Sequence, residues 1–261
     1  MTLAATVSGP QAVYRLNPVS KLLASAIISV TLVMSIDWVS ALVALAIESV
    51  LFLWAGLTWR QFLRRTLPVW IAAPLAGFTI LLYGRASGET HFQFLLIHVT
   101  DGSISLAIAT VLRMLAIALP AIVLFVTIDP TDLADGLAQV LKLPTRFVLG
   151  ALAGLRLVGL FLEDWKSLEL ARRARGVADR GRIRRFWGQA FALLVLSIRR
   201  GSKLATAMEA RGFGATGPRS WARASTLGAG DALLVLLAVA VAAAAVIVSV
   251  TTGHWNFIVG Q

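Results

Sequence analysis

Residues 171–188 read ARRARGVADRGRIRRFWG, and residues 207–213 read AMEARGF. Each stretch contains the same tripeptide, Ala174-Arg175-Gly176 in the first and Ala210-Arg211-Gly212 in the second. Arginine in a last turn complements the helix macrodipole, and glycine just beyond it accepts the left-handed conformation that ends a helix. The pattern predicts two long helices, 145–175 and 183–211, joined by a short turn, each about 40 Å long at ~1.5 Å per residue. If they cross as antiparallel partners, their C-terminal ends lie far apart. The two arginine tips then point at two separate places, which suits docking to a partner with two equivalent subunits.

Outward from these tips the charge is uneven. Residues 142–211 hold fifteen Lys and Arg against five Asp and Glu, so ten of the eleven net positive charges of the 261-residue chain sit in this block. In a soluble protein such a balance would invite nucleic acid. Here 58% of residues are hydrophobic, only 14% are charged and the mean hydropathy is +0.81, which makes the chain an integral membrane protein. Lys and Arg collect in cytoplasmic segments of membrane proteins, so the block reads as cytoplasmic and no nucleic-acid partner is expected.

Apolar runs at 22–36, 39–57, 67–83, 103–128 and 232–250 predict five membrane helices, each needing ~20 residues to cross. The first two are separated only by Asp37 and Trp38 and form a hairpin. Residues 58–65 read as a basic amphipathic linker, and Pro68 and Pro74 are expected to bend the third span. Residues 84–102 read as a polar loop with a short interfacial helix over 92–98. Residues 1–18 lack the pattern of a cleaved signal peptide, so the first span is expected to stay in the membrane. Arg15 and Lys21, then Arg60, Arg64 and Arg65, then the basic block fall on one side of five alternating helices. That side is the cytoplasm, with the N-terminus inside and the C-terminus, bearing His254 and Trp255, outside.

The fold class is therefore all-α: about five transmembrane helices and a cytoplasmic coupling domain of long crossing amphipathic helices. The divisions are a membrane domain over 1–128, the coupling domain over 129–221 and a last transmembrane helix over 222–261. Phe186, Ala190, Leu193, Leu194, Ser197, Ile198 and Leu204 share one stripe of the second long helix, while Gly150 and Gly154 on the first make a G-x-x-x-G pair that suits close crossing.

Glu48 and Arg113 lie inside spans, where a lone charge is costly, and form a candidate intramembrane ion pair; separate satisfaction by backbone or water is the alternative. No cysteine is present, and His91, His98 and His254 have no metal-ligand spacing, so neither a metal nor a cofactor is expected. No catalytic set is found, and there is no G-x-x-x-x-G-K-[ST] phosphate loop. Asp129, Asp132 and Asp135 share a helix face that a membrane-embedded enzyme could use for a metal, but they lack a second carboxylate cluster. N-capping and first-turn stabilisation after Pro130 account for them. A conventional ABC permease that binds its own substrate is the other alternative; a single Ala-Arg-Gly would suffice there.

Over nearly its whole length the chain resembles the T component, the energy-coupling transmembrane subunit, of energy-coupling-factor (ECF) transporters, ABC-class importers of vitamins and metal ions. The resemblance is carried by Ala207-Met208-Glu209-Ala210-Arg211-Gly212-Phe213 and by Ala171-Arg172-Arg173-Ala174-Arg175-Gly176. Asn17-Pro18-Val19-Ser20-Lys21-Leu22 before the first span adds to it, with Asn17 where the family usually has Asp. Asp129-Pro130-Thr131-Asp132-Leu133-Ala134-Asp135-Gly136-Leu137, followed by Leu143-Pro144, matches a short coupling helix. The resemblance implies that both Ala-Arg-Gly tips insert into two ABC ATPase subunits, a homo- or heterodimer, with Glu209, Asp132 and Pro144 as supporting positions. It implies that the membrane helices cradle a separate substrate-binding S component in the cell's inner (plasma) membrane, and that ATP is hydrolysed on the partner subunits.

Overall fold

The computed structural model describes residues 12–54, 59–84, 87–94, 97–176, 181–215, 220–253 and 255. After a 3-10 turn over Ala12–Arg15 come helices α1 (Pro18–Val33), α2 (Trp38–Trp54) and α3 (Trp59–Tyr83). Strands β1 (Thr90–Phe94) and β2 (Ile97–Thr100) follow, then α4 (Asp101–Val126), α5 (Pro130–Gln139), α6 (Thr145–Ala174), α7 (Arg182–Ala210) and α8 (Ala229–Thr251). The chain divides into two compact units, one containing 130–225 and the other 7–129 with 226–261.

The larger unit is a helical bundle. Alanines interleaved with larger aliphatic residues line its interior: Ala24, Ile28 and Leu32 of α1 meet Ala44 of α2, Ala116 of α4, and Ala238, Val241 and Ala245 of α8. Alanine at these positions lets helix axes approach, as bundles in lipid require when no hydrophobic force separates helix from tail. A second cluster, Ala73 with Leu115 and Leu119, joins α3 to α4. Those two helices pass so close that a β-carbon at Gly77 would run into the Val111 side chain.

Polar residues in this unit mark helix ends. Asn17 caps α1, its side chain accepting the Val19 N–H at 3.0 Å, and Pro18 occupies the first turn where an N–H has no partner to lose. Asp37 caps α2 by accepting the Ser40 N–H at 2.7 Å. Thr100 and Ser103 cap α4 reciprocally, Thr100 Oγ1 accepting the Ser103 N–H at 3.3 Å and Ser103 Oγ accepting the Thr100 N–H at 2.9 Å.

Three features differ from the sequence expectations. Residues 90–100 form an antiparallel hairpin with Thr90 opposite Thr100 and Phe94 opposite Ile97, not an interfacial helix over 92–98. The alternation Thr90-His91-Phe92-Gln93-Phe94 is a period-2 pattern of β-favouring residues, and it prevails. Residues 59–65 are the first turns of α3 rather than a linker, and the helix runs on through Pro68 and Pro74. The all-α polytopic membrane class holds: among the described residues four helices are long and apolar enough to cross a membrane, 62–83, 101–126, 145–174 and 229–251. Beside them α1 and α2 are shorter apolar helices, with 16 and 17 described residues. Lastly, the Gly150 and Gly154 pair makes no crossing within the described chain, since added β-carbons there would meet nothing.

Candidate functional site: two arginine tips on an antiparallel helix pair

The smaller unit is built on α6 and α7. Pro144 precedes α6, its carbonyl accepting the Phe147 N–H at 3.0 Å, and its fixed φ starts the helix without a donor to satisfy. The two helices run antiparallel. Arg146 at the start of α6 donates to the Gly214 carbonyl beyond α7, while Arg185 at the start of α7 reaches Glu169 near the end of α6 at 2.6 Å. Between these ends Arg200 pairs with Asp164 at 2.7 Å, and the Trp165 and Phe186 rings stand 5.7 Å apart. Arg173 adds an i,i+4 pair to Glu169 at 2.8 Å. Gly188 leaves room for the Arg172 guanidinium, 3.1 Å from where a β-carbon would stand.

Both helices end in the same way. Arg175 and Arg211 are the C-cap residues, and Gly176 and Gly212 follow with φ of 67° and 79°, in the left-handed region that glycine tolerates. At the second tip the Gly212 N–H donates to Glu209 O at 2.9 Å and the Phe213 N–H to Met208 O at 2.9 Å. This paired bonding is the Schellman closure, and it gives the Glu209 backbone a defined part in the tip. At the first tip the Gly176 N–H makes the matching bond to Arg173 O at 3.0 Å. Ala174, Arg175, Gly176, Ala210, Arg211 and Gly212 are all exposed. Among the described residues neither tip guanidinium has a hydrogen-bond or ion-pair partner, whereas Arg173, Arg185 and Arg200 are all engaged within the pair. With α6 at 30 residues, the tips lie at opposite ends of a rod about 45 Å long.

The remaining sequence candidates fall in different places. Asp132, in the first turn of α5, is exposed and faces Arg223 at 3.5 Å, a surface pair of small energetic consequence. Glu48 and Arg113 are not brought together, which corrects the expected pair. Glu48 is buried in the bundle with neither carboxyl oxygen hydrogen-bonded among the described residues, while Arg113 Nη1 donates to the Ser35 carbonyl at 3.1 Å and acts on Asp37. The arginine reaches the turn between α1 and α2, where the buried Ser35 carbonyl and Asp37 carboxylate converge, and leaves mid-helix Glu48 behind.

Sequence reasoning missed what gathers at the two ends of the bundle. Asp37 accepts from Ser40 Oγ at 2.6 Å, from Ser249 Oγ of α8 at 2.6 Å and from Ser35 Oγ. Burial pushes the Asp37 carboxyl up, but the bonds from Ser249, Ser35 and Ser40 outweigh it and hold the group below its ordinary value. At the other end Asp231 accepts from the Asn17 N–H at 2.7 Å and the Gly228 N–H at 2.8 Å, with Ser20 Oγ at 2.7 Å. The only local signal was Asp231 three residues after Gly228, a helix-start pattern. Its other partners, Asn17 and Ser20, lie more than 200 residues away.

The family model described as CbiQ, cobalt transport protein, matches residues 10–220, about four-fifths of the chain. The chain belongs to the CbiQ family. It is similar to the energy-coupling factor transporter transmembrane protein EcfT of Streptococcus equi subsp. equi, 28% identical over 246 residues that cover 89% of this chain and 91% of the relative. The EcfT proteins of Brevibacillus brevis (27% over 221 residues, 79% and 82% covered) and Lactococcus lactis subsp. cremoris (27% over 252 residues, 90% and 93% covered) are similar too. This CbiQ-family chain is thus a T component of the energy-coupling-factor type, a membrane transport subunit and not an enzyme.

Proposed function

We propose that this T component couples two ABC ATPase subunits, a homo- or heterodimer, to a separate substrate-binding S component, so that ATP-driven closure of the ATPases drives uptake of a micronutrient, a vitamin or a metal ion. In this reading 1–128 and 222–261 are the membrane part, and 129–221 is the cytoplasmic coupling part. The chain sits in the inner (plasma) membrane with its N-terminus in the cytoplasm and its C-terminus outside. Arg175 enters a groove on one ATPase and Arg211 enters the equivalent groove on the other. Ala174, Gly176, Ala210 and Gly212 keep the tips slim, and Glu209, Asp132 and Pro144 shape the segments that carry them.

One observation supports the reading: two helix ends, each with an arginine C-cap followed by a left-handed glycine and without a partner for the guanidinium among the described residues, stand at opposite ends of one antiparallel pair. A guanidinium offers several directional donors to a groove, which an ammonium cannot reproduce. The apolar face of α7, with Ile183, Trp187, Phe191, Leu194 and Ile198 exposed at helical spacing, supports a further apolar partner such as the S component or lipid.

The test is co-purification in mild detergent with uptake measured in parallel. Wild-type chain is expected to bring ATPase and S-component proteins. Arg175→Glu and Arg211→Glu together are expected to release the ATPases and abolish uptake, each alone lowering uptake at least about 30-fold, the scale of losing ~2 kcal/mol or more at an interfacial charge. Arg199→Glu is the control of equal charge change, because Arg199 is exposed and has no partner among the described residues. Equal losses at Arg199 would reduce the tips to a generic basic surface and overturn the proposal.

A further inference from the structure

The motif Asn17-Pro18-Val19-Ser20-Lys21 has no part in the docking described above, yet its polar residues are among the most deeply buried in the chain. Lys21 is 1% exposed, Ser20 3%, Asn17 8%, and their partners Thr127 and Asp231 4% and 7%. Burying a lysine and an aspartate in a lipid-facing bundle is costly unless both are bonded. Lys21 Nζ donates to the Thr127 carbonyl at 3.0 Å, and its charge acts on Asp231. Asp231 takes the Asn17 N–H and the Gly228 N–H, with the Ser20 hydroxyl against the same oxygen as Asn17, and Asn17 Nδ2 donates to the Thr226 carbonyl at 3.2 Å.

The positions of these acceptors in the chain give the cluster its meaning. Thr127 ends α4 just before the 130–225 unit begins, and Thr226 and Gly228 follow directly after that unit ends. Both covalent connections of the coupling unit are therefore bonded to the first turn of α1. A displacement carried along either connection meets a point fixed to the bundle instead of a slack loop.

We propose that Asn17, Ser20, Lys21 and Asp231 form a clamp on the two connections between the coupling unit and the membrane bundle, with Lys21 and Asp231 as positioning residues for energy coupling. The proposal rests on the function proposed above.

The test uses the complete transporter reconstituted in vesicles, scored as substrate taken up per ATP hydrolysed. Lys21→Met keeps length and apolar bulk but removes the donor and the charge. It is expected to assemble and hydrolyse ATP while uptake per ATP falls about tenfold, the scale of one lost charge-assisted bond, and Lys21→Arg should restore most of the ratio. Asp231→Asn is the second variant, keeping one acceptor oxygen for Asn17 and Ser20 but not the carboxylate for Gly228, and a smaller fall in the same ratio is expected. An unchanged ratio in both, or uptake and hydrolysis falling together with assembly, overturns the proposal, because the cluster is then inert or only a folding element.

A measurement on the chain alone separates the clamp from the ATPase reading. Spin labels on Arg15→Cys and Leu227→Cys, both exposed and in a chain without native cysteine, should give a narrow distance distribution that Asp231→Asn broadens. If wild-type chain binds no ATPase, the functional reading fails by itself and this distance decides the clamp. An unbroadened distribution overturns it.

Discussion

The membrane bundle and the 130–225 unit use their apolar and charged residues in opposite ways. In the bundle, small apolar residues point inward and the buried charges Asp37, Lys21 and Asp231 are bonded at the helix ends. On α6 only Val148 is buried, while Phe147 is 78% exposed and Ile183, Trp187 and Phe191 of α7 are 77%, 68% and 68% exposed. Among the described residues the α6 and α7 pair is joined instead by ion pairs, by the Arg146 bond to the Gly214 carbonyl and by the Trp165–Phe186 ring contact. Among its described residues the bundle leaves only Glu48 with buried oxygens unbonded, whereas the helix pair leaves an apolar face exposed and its two tip arginines without a partner among the described residues.

Thermal unfolding in detergent should separate the two designs. Asp37→Ala strands the hydroxyls of Ser35, Ser40 and Ser249 and uncaps α2, so a loss of about 3 kcal/mol or more is expected. Phe191→Ser on the exposed stripe should shift stability by no more than about 0.5 kcal/mol. Equal losses would break the contrast. Because the folded carboxyl of Asp37 lies below its ordinary value, its stabilisation is present above the unfolded pKa of about 4. It is lost as pH falls through the folded value. The melting temperature should thus decline below about pH 4, and Asp37→Asn should remove that part of the decline while lowering stability at pH 7.

A smaller effect is expected at the tips. A β-carbon at Gly176 or Gly212 meets no neighbour, so alanine there costs only the left-handed strain of ~1–2 kcal/mol, confined to the last turn. Global melting should hardly move, while amide exchange at Phe213 should speed up about tenfold or more. Unchanged exchange would show that the Schellman closure does not set the tip. The smallest effect belongs to Glu48 and Arg113. A double-mutant cycle with Glu48→Gln and Arg113→Gln should give a coupling energy below about 0.5 kcal/mol, since the two side chains do not meet. A coupling above ~1 kcal/mol would restore the ion pair.

What could be read from the sequence was local. The ends of α6 and α7, at Ala174 and Ala210, lie within one residue of where Arg-Gly places them, because a C-cap is settled by the last few residues of its own helix. The Asn17-Pro18 helix start was equally visible. Arg113 was misassigned because its partner depends on depth and rotation in a packed bundle, and the carbonyl it binds lies 78 residues away. The clamp at Asp231 was hidden for the same reason, with partners 211 and 214 residues distant. The 90–100 hairpin is legible in its period-2 alternation, but Gly88, His91 and Asp101 give the same stretch the composition of a loop.

The most direct test of the account is site-specific cross-linking of the assembled transporter, made simple by a chain with no native cysteine. A photoactivatable cross-linker on Ala174→Cys and another on Ala210→Cys should each capture one ATPase chain, and the doubly substituted protein should capture two. Capture by only one tip, by neither, or equally by the same probe on Arg199→Cys would contradict the claim that two helix ends engage two separate ATPase subunits.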